Sequence, residues 1–164
     1  MCQKIRNDME SKVQLANKMV RFMNLFPHDG EDDLVVLKGH LLIEELLSEW
    51  VQLALDKSTC PVGIHVTDRT SFHHKLTVGW CLLGNDMEEY VWISLKLLNE
   101  IRNKMAHRVV PAGVEEMKEE LINVLLPRSP YEERDYGGKE LVHSISWLYV
   151  SVGHYLHEWK NKNS

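Results

Sequence analysis

The sequence is poor in the residues that staple small proteins together. Its 164 residues contain three cysteines, Cys2, Cys60 and Cys81. That odd number at long spacings fits neither a disulfide framework nor a zinc knuckle, and the simplest compartment for it is a reducing cytoplasm. Long apolar runs are absent as well. None approaches the roughly 18 residues that cross a bilayer, and Leu41-Leu42-Ile43 is cut short by Glu44-Glu45. Met1 to Lys12 is polar with mixed charge, unlike a signal peptide, so no membrane role is expected. A basic excess is also missing: 19 Lys and Arg stand against 24 Asp and Glu, a net charge of −5. This removes the signature of a nucleic-acid-coating protein and leaves room only for a local basic site. No glycine-rich phosphate loop, His-Glu-x-x-His or serine-elbow pattern occurs, and there is no internal repeat. No cofactor or metal is expected. His154, His157 and Glu158 have helical spacing but no partner cluster, and the adjacent His73 and His74 face different sides of a helix.

What the sequence does contain is helical periodicity. Val13, Ala16, Val20 and Met23 recur at helical spacing over residues 8–25, and Pro27 and Gly30 close that helix. A second helix starts near Asp32-Asp33, where carboxylates favour a helix N-terminus, and runs to about Lys57. Val36, His40, Ile43, Leu47, Trp50 and Ala54 form its stripe. Residues 58–68 read as a connection with some extended character. A third helix begins after Asp68 or Thr70, with Phe72, Leu76, Gly79 and Leu83 inward, and stops at Gly84-Asn85. The fourth, about 87–108, turns Val91, Leu95, Leu98, Ile101 and Met105 inward and ends before Pro111 and Gly113. A fifth spans 113–126 with Val114, Met117, Leu121 and Leu125 on one side. Residues 127–138 form a proline- and glycine-rich loop. The last helix, 139–161, aligns Leu141, Ile145, Leu148, Val152, Leu156 and Trp159. The expected fold is all-α, a single-domain bundle of about six helices over residues 1–164, with no strand. Trp50, Trp80, Trp92, Trp147 and Trp159 are expected mostly in core or interface.

One segment breaks the pattern. At 100° per residue, Arg102 lands inside the apolar stripe of the fourth helix, close to Leu95. A guanidinium aimed at a core or interface is expensive unless paired. The second helix offers Glu44 at the edge of its stripe and His40 nearer the centre, so an Arg102–Glu44 pair is expected, with His40 in support. Asn103 and His107, four residues apart, can touch and fix the imidazole. Arg102 and His107 project about 140° apart on a regular helix, so either the helix loosens near His107 or two copies share one cleft across a two-fold axis. A dimer built on the fourth helix would place Leu98 in its interface. Arginine can clamp a phosphate through two hydrogen bonds, and histidine moves protons near neutral pH. Lys104 and Arg108 add local positive charge for a substrate. RNA carries its own nucleophile, the 2′-hydroxyl, so a metal is not required. The plain alternative is a buried ion pair at Arg102, a solvated Asn103 and a helix-end His107 that interacts with the dipole.

The segments Leu37-Lys38-Gly39-His40-Leu41-Leu42-Ile43-Glu44-Glu45-Leu46-Leu47, Ser71-Phe72-His73-His74-Lys75-Leu76 and Leu98-Asn99-Glu100-Ile101-Arg102-Asn103-Lys104-Met105-Ala106-His107 resemble the HEPN superfamily and its relatives in the mannitol operon repressor group. The resemblance covers roughly residues 31–110. The Arg-Asn-x-x-x-His element is similar to the superfamily's arginine-to-histidine motif, including the polar residue after the arginine. It implies a helical bundle that dimerises along the motif helices. It also implies a metal-independent endoribonuclease of toxin or defence type, cutting single-stranded RNA and controlled by an antitoxin or other regulatory protein. By that resemblance Arg102 holds the phosphate, His107 is acid or base, and Asn103 orients. Toxins paired with a nucleotidyltransferase have a tyrosine two residues after the histidine, where this chain has Val109. The repressor-like members imply the other reading, a non-catalytic dimeric regulator or adaptor.

Overall fold

The computed structural model describes residues 2–58, 65–67, 69–107, 112–130 and 136–163. It is an all-helical bundle of six α-helices: α1 (Cys2–Leu25), α2 (Asp32–Lys57), α3 (Phe72–Leu83), α4 (Glu89–His107), α5 (Val114–Leu125) and α6 (Glu140–Asn163). One 3-10 turn, Leu126–Arg128, prolongs α5. No strand occurs among the described residues; the described part of the connection after α2, residues 65–67, pairs with nothing as a ladder.

The helix starts follow local chemistry. α2 begins behind Glu31 with Asp32 and Asp33 in its first turn, where carboxylates meet the positive end of the dipole. Ser71 caps α3, its hydroxyl accepting from the His74 backbone N–H at 3.3 Å, which satisfies one of the orphan donors of the first turn. Lys160 and Lys162 occupy the last turn of α6, the favourable end for cations.

The stripes of α2 through α6 face one core. Val36, His40, Ile43, Leu47, Trp50 and Ala54 of α2 are all buried, as are all six stripe residues of α6 and Val91, Leu95, Leu98 and Ile101 of α4. α2 and α6 run parallel through the centre and share the largest interface. Gly39 makes this possible. A Cβ there would lie 2.4 Å from Cγ2 of Ile145, a fully buried residue. α1 lies antiparallel to α2, tied by the ion pairs Lys18–Glu49 and Arg21–Glu45.

On α1 the expected stripe points the wrong way. Val13, Val20 and Met23 are more than half exposed, and Ala16 is exposed with them. The buried contacts are instead Phe22 and, just past the helix, Phe26. Phe22 stacks on Phe26 and on Tyr149 of α6, with ring centroids 4.6 and 4.2 Å apart. Tyr149 completes the joint by donating to the Lys18 carbonyl at 3.1 Å, and burial pushes its phenol up to about 12. Two aromatic residues at the C-terminal end bury more area than the four small or flexible ones and decide which face turns inward.

Gly39→Ala should lower the folding free energy by about 1–3 kcal/mol, the range for overpacking a close-packed site. Denaturant unfolding at unchanged slope reads this directly. Full retention of stability would show that α2 and α6 separate locally without cost.

Candidate functional site

α2, α3 and α4 enclose a cluster of polar side chains in otherwise apolar surroundings. Lys75 falls on the inner side of α3 because it follows Phe72 by three residues and precedes Gly79 by four, the spacing of one helix face. It is 4% exposed. Its ammonium donates to Oε1 of Glu44 at 2.7 Å. One turn earlier on α2, His40 is 3% exposed and packs on Phe72, with ring centroids 4.4 Å apart. Its Nε2 lies 3.4 Å from Oδ1 of Asn99 on α4. Its Nδ1 lies 3.8 Å from Glu44 and has no hydrogen-bond partner among the described residues. The two ring nitrogens thus face different helices, Nε2 toward Asn99 of α4 and Nδ1 toward Glu44 on its own helix.

The electrostatics of His40 are decided by burial. Desolvation holds its pKa below the ordinary value, against the pull of Glu44 and Asn99, and the cations Arg102 and Lys75 add to the depression. The ring is therefore neutral at neutral pH, and four groups from three helices face it.

The expected Arg102–Glu44 pair is not formed. Glu44 is taken by Lys75, and no carboxylate lies within 4 Å of Arg102 among the described residues. The half-buried Arg102 instead donates from Nη1 to Oδ1 of its neighbour Asn103 at 3.1 Å. The Lys75 ammonium lies 2.7 Å from Glu44, so the carboxylate expected for Arg102 is already paired from α3. His40 stays near Arg102 electrostatically, while Asn103, expected to orient His107, accepts from Arg102. α4 ends at His107; the side chain of His107, and Arg108 and Val109 altogether, lie outside the described residues. Lys104 is exposed one turn from the helix end. Leu98, expected in a dimer interface, is fully buried within the single chain, because the stripe of α4 faces its own bundle. The outward side of α4 carries Ile93, Lys96 and Glu100 instead.

Alongside the motif a groove of about 630 Å³ runs between α3 and α4. Asn99 and Asn103 stand at one end and Trp80, Trp92 and Ile93 along its length. Trp80 is 52% exposed and meets Trp92 edge-on at 5.6 Å and 81°. Gly79 lets the edge of the Trp92 indole press against α3, since a Cβ would sit 3.1 Å from its Cη2. Single-helix periodicity gives no sign of this groove, because it belongs to two helices at once. Lys75, by contrast, was legible: a lysine inside an apolar stripe demands a partner as much as Arg102 does.

Among the described residues no group of three or more His, Cys, Asp or Glu is placed to hold a metal ion. No helix there is long and apolar enough to cross a membrane. The chain matches no family model, and no curated protein or solved structure is significantly similar to it.

Glu44→Gln leaves the Lys75 ammonium buried without an anion and should cost about 3–5 kcal/mol. Lys75→Met removes the charge while keeping the stem's volume and leaves a carboxylate that reaches solvent, so its loss should be smaller. Equal losses in thermal or denaturant melts would mean that the stem, not the charge pair, holds the helices.

His40 adds a pH response. Its folded pKa lies below the unfolded value of about 6.5, so its contribution is complete above pH 6.5. As pH falls from there, the unfolded chain takes up the proton first and stability is lost. Melting temperature should fall more steeply from pH 7 to 5 in the wild type than in His40→Gln. Parallel curves would remove His40 from the acid response.

Proposed function

We propose that the chain is a metal-independent endoribonuclease of HEPN toxin or defence type acting on single-stranded RNA. The observation that supports this reading best is the half-buried Arg102 guanidinium. It is held by a neutral amide, with no carboxylate within reach among the described residues, and that amide, Asn103, lines an open groove. A structural arginine in that position calls for a counter-ion; one kept unneutralised is a receptor for an anion such as a phosphodiester. In this reading Arg102 and Asn103 hold the phosphate, and Lys104 and Arg108 steer the strand. His107 moves the proton. The 2′-hydroxyl oxygen attacks its own 3′-phosphorus, losing its proton to a base. The bond from phosphorus to the 5′-oxygen breaks, and that oxygen leaves as a hydroxyl after taking up a proton. The products are a 2′,3′-cyclic phosphate and a 5′-hydroxyl, and no water or metal enters the step. A homodimer across the outward side of α4 belongs to this reading. An antiparallel two-fold contact there would set Lys96 against Glu100 of the second copy, and an antitoxin or other regulatory protein would mask the site.

A second reading, a non-catalytic dimeric regulator or adaptor like the mannitol operon repressor group, is favoured by one observation. The groove is walled by the exposed Trp80 and Ile93 in a protein of net negative charge, a surface better matched to protein than to RNA.

Pure protein should cleave a mixed-sequence RNA in excess chelator and leave 2′,3′-cyclic phosphate ends. Arg102→Ala and His107→Ala should each lower the rate by at least about 100-fold, the usual scale for losing one proton-transfer or charge-stabilising group, with melting curves unchanged. Absence of cleavage by folded protein, or loss of cleavage in chelator, would overturn the ribonuclease reading and leave the regulator.

A further inference from the structure

The groove between α3 and α4 has an aromatic end and an amide end. At one end Trp80 of α3 touches Trp92 of α4. At the other, Phe72 of α3 and Asn99 of α4 both lie against His40. The two helices are therefore antiparallel. Along α4, Trp92, Asn99 and Asn103 line the groove in that order. Eleven residues separate Trp92 from Asn103, about 16 Å of helix.

Each end has its own chemistry. Trp80 is 52% exposed, with the exposed Ile93 across the groove from it, and a bare indole gains much from being covered by another flat ring. Asn99 is 7% exposed. One end of its amide lies 3.4 Å from His40, and the other has no partner among the described residues. A buried amide with half its hydrogen-bonding capacity unused calls for an explanation. Asn103 is oriented by Arg102. A guanidinium only donates, so the amide oxygen faces it at 3.1 Å and the amide nitrogen is left to donate elsewhere. Charge gives the groove a polarity. Glu89 lies at the aromatic end, and Arg102 and the exposed Lys104 belong to the amide end. Between them Lys96 and Glu100 face each other at 3.8 Å.

These features define the occupant. A free base covers the aromatic end alone, and a simple anion the amide end alone. A single strand supplies both: bases that stack on indole and phosphates that accept from N–H groups. At about 3.4 Å or more per nucleotide, a few nucleotides span the groove. The apolar face of a partner helix would cover Trp80 as well, but it would shut both amides away from water without an acceptor.

We propose that the groove seats a short run of the RNA strand, with one base on Trp80 and a phosphate at Asn103, so that Trp80 selects a base at a fixed offset from the bond that is cut. This rests on the ribonuclease reading and adds a recognition residue to it. A two-ring purine covers more of the indole than a one-ring pyrimidine, so a purine is preferred there. Trp80 stands on α3, off the Lys96–Glu100 ridge of α4 that a second copy would meet, so base stacking and that contact use different side chains.

The test uses the full chain and a dye-labelled 2′-deoxy oligonucleotide of adenines, which lacks the nucleophile and stays intact. Fluorescence anisotropy should show binding. Trp80→Leu should weaken it at least about tenfold, the scale of one lost stack, with melting unchanged. Trp80→Tyr keeps a flat ring and should restore most of the affinity. The same sugar-phosphate strand without bases should bind wild type and Trp80→Leu alike, and weakly. On RNA, the wild type should cut at a fixed offset from a purine, and Trp80→Leu should lose that preference. Three results would each overturn the proposal: equal affinity of wild type and Trp80→Leu, equal affinity for strands with and without bases, or adenosine monophosphate bound as tightly as the strand. Failure of every nucleotide probe to bind would overturn it too and leave the groove to a protein partner. The two readings fail separately. RNA cut by Trp80→Leu at unchanged rate and sites removes the groove's role and keeps the nuclease. Trp80-dependent binding without cleavage of any RNA removes the nuclease and keeps the groove as a strand site.

Discussion

The buried ammonium of Lys75 is the constraint around which α2, α3 and α4 are arranged. A cation enclosed by apolar residues is tolerable only if an anion meets it with good geometry, and Glu44 at 2.7 Å does so. That single pair fixes the register of α3 against α2. It also consumes the carboxylate that Arg102 of α4 would otherwise have claimed. His40, one turn away on α2 and hydrogen-bonded to Asn99, carries the same constraint across to α4. The three helices therefore meet through a chain of polar contacts rather than through apolar packing alone. Such a chain specifies one arrangement more sharply than interchangeable aliphatic side chains can.

The consequence is a division of charge. Glu44 is neutralised from α3, and Arg102 donates instead to Asn103, which lines the α3–α4 groove. His40 is kept neutral by burial and by the two cations nearby, which leaves it a positioning group within the bundle. Trp80 and Ile93 lie along the groove between α3 and α4. Away from this end, the stacked rings of Phe22, Phe26 and Tyr149 anchor α1 by one face and leave its other face outward.

Much of the fold could be read from periodicity. The stripes of α2, α3 and α6 are buried residue for residue as their spacing requires, since each helix has one continuous apolar face and a single core to turn it toward. The first helix shows where the method fails. Two stripes of similar hydropathy share it, and spacing cannot say which the bundle will cover. The aromatic pair at its C-terminal end settles that through contact with Tyr149, a residue 127 positions beyond Phe22 in the chain.

The candidate site divides in the same way. The sequence by itself determined that the fold is helical, that Arg102 stands where an unpaired charge is costly, and that Asn103 and His107 share its helix. These follow from 3.6 residues per turn and from the chemistry of each side chain. Only the tertiary structure decided which anion meets which cation. Lys75 and Arg102 both sit on inward stripes, and Glu44 can satisfy one at close range. The outcome depends on distances between helices, set by small residues such as Gly39 and Gly79 that let neighbouring side chains press against the helix backbone. The groove is likewise a property of how α3 and α4 lie together, and no single helix encodes it.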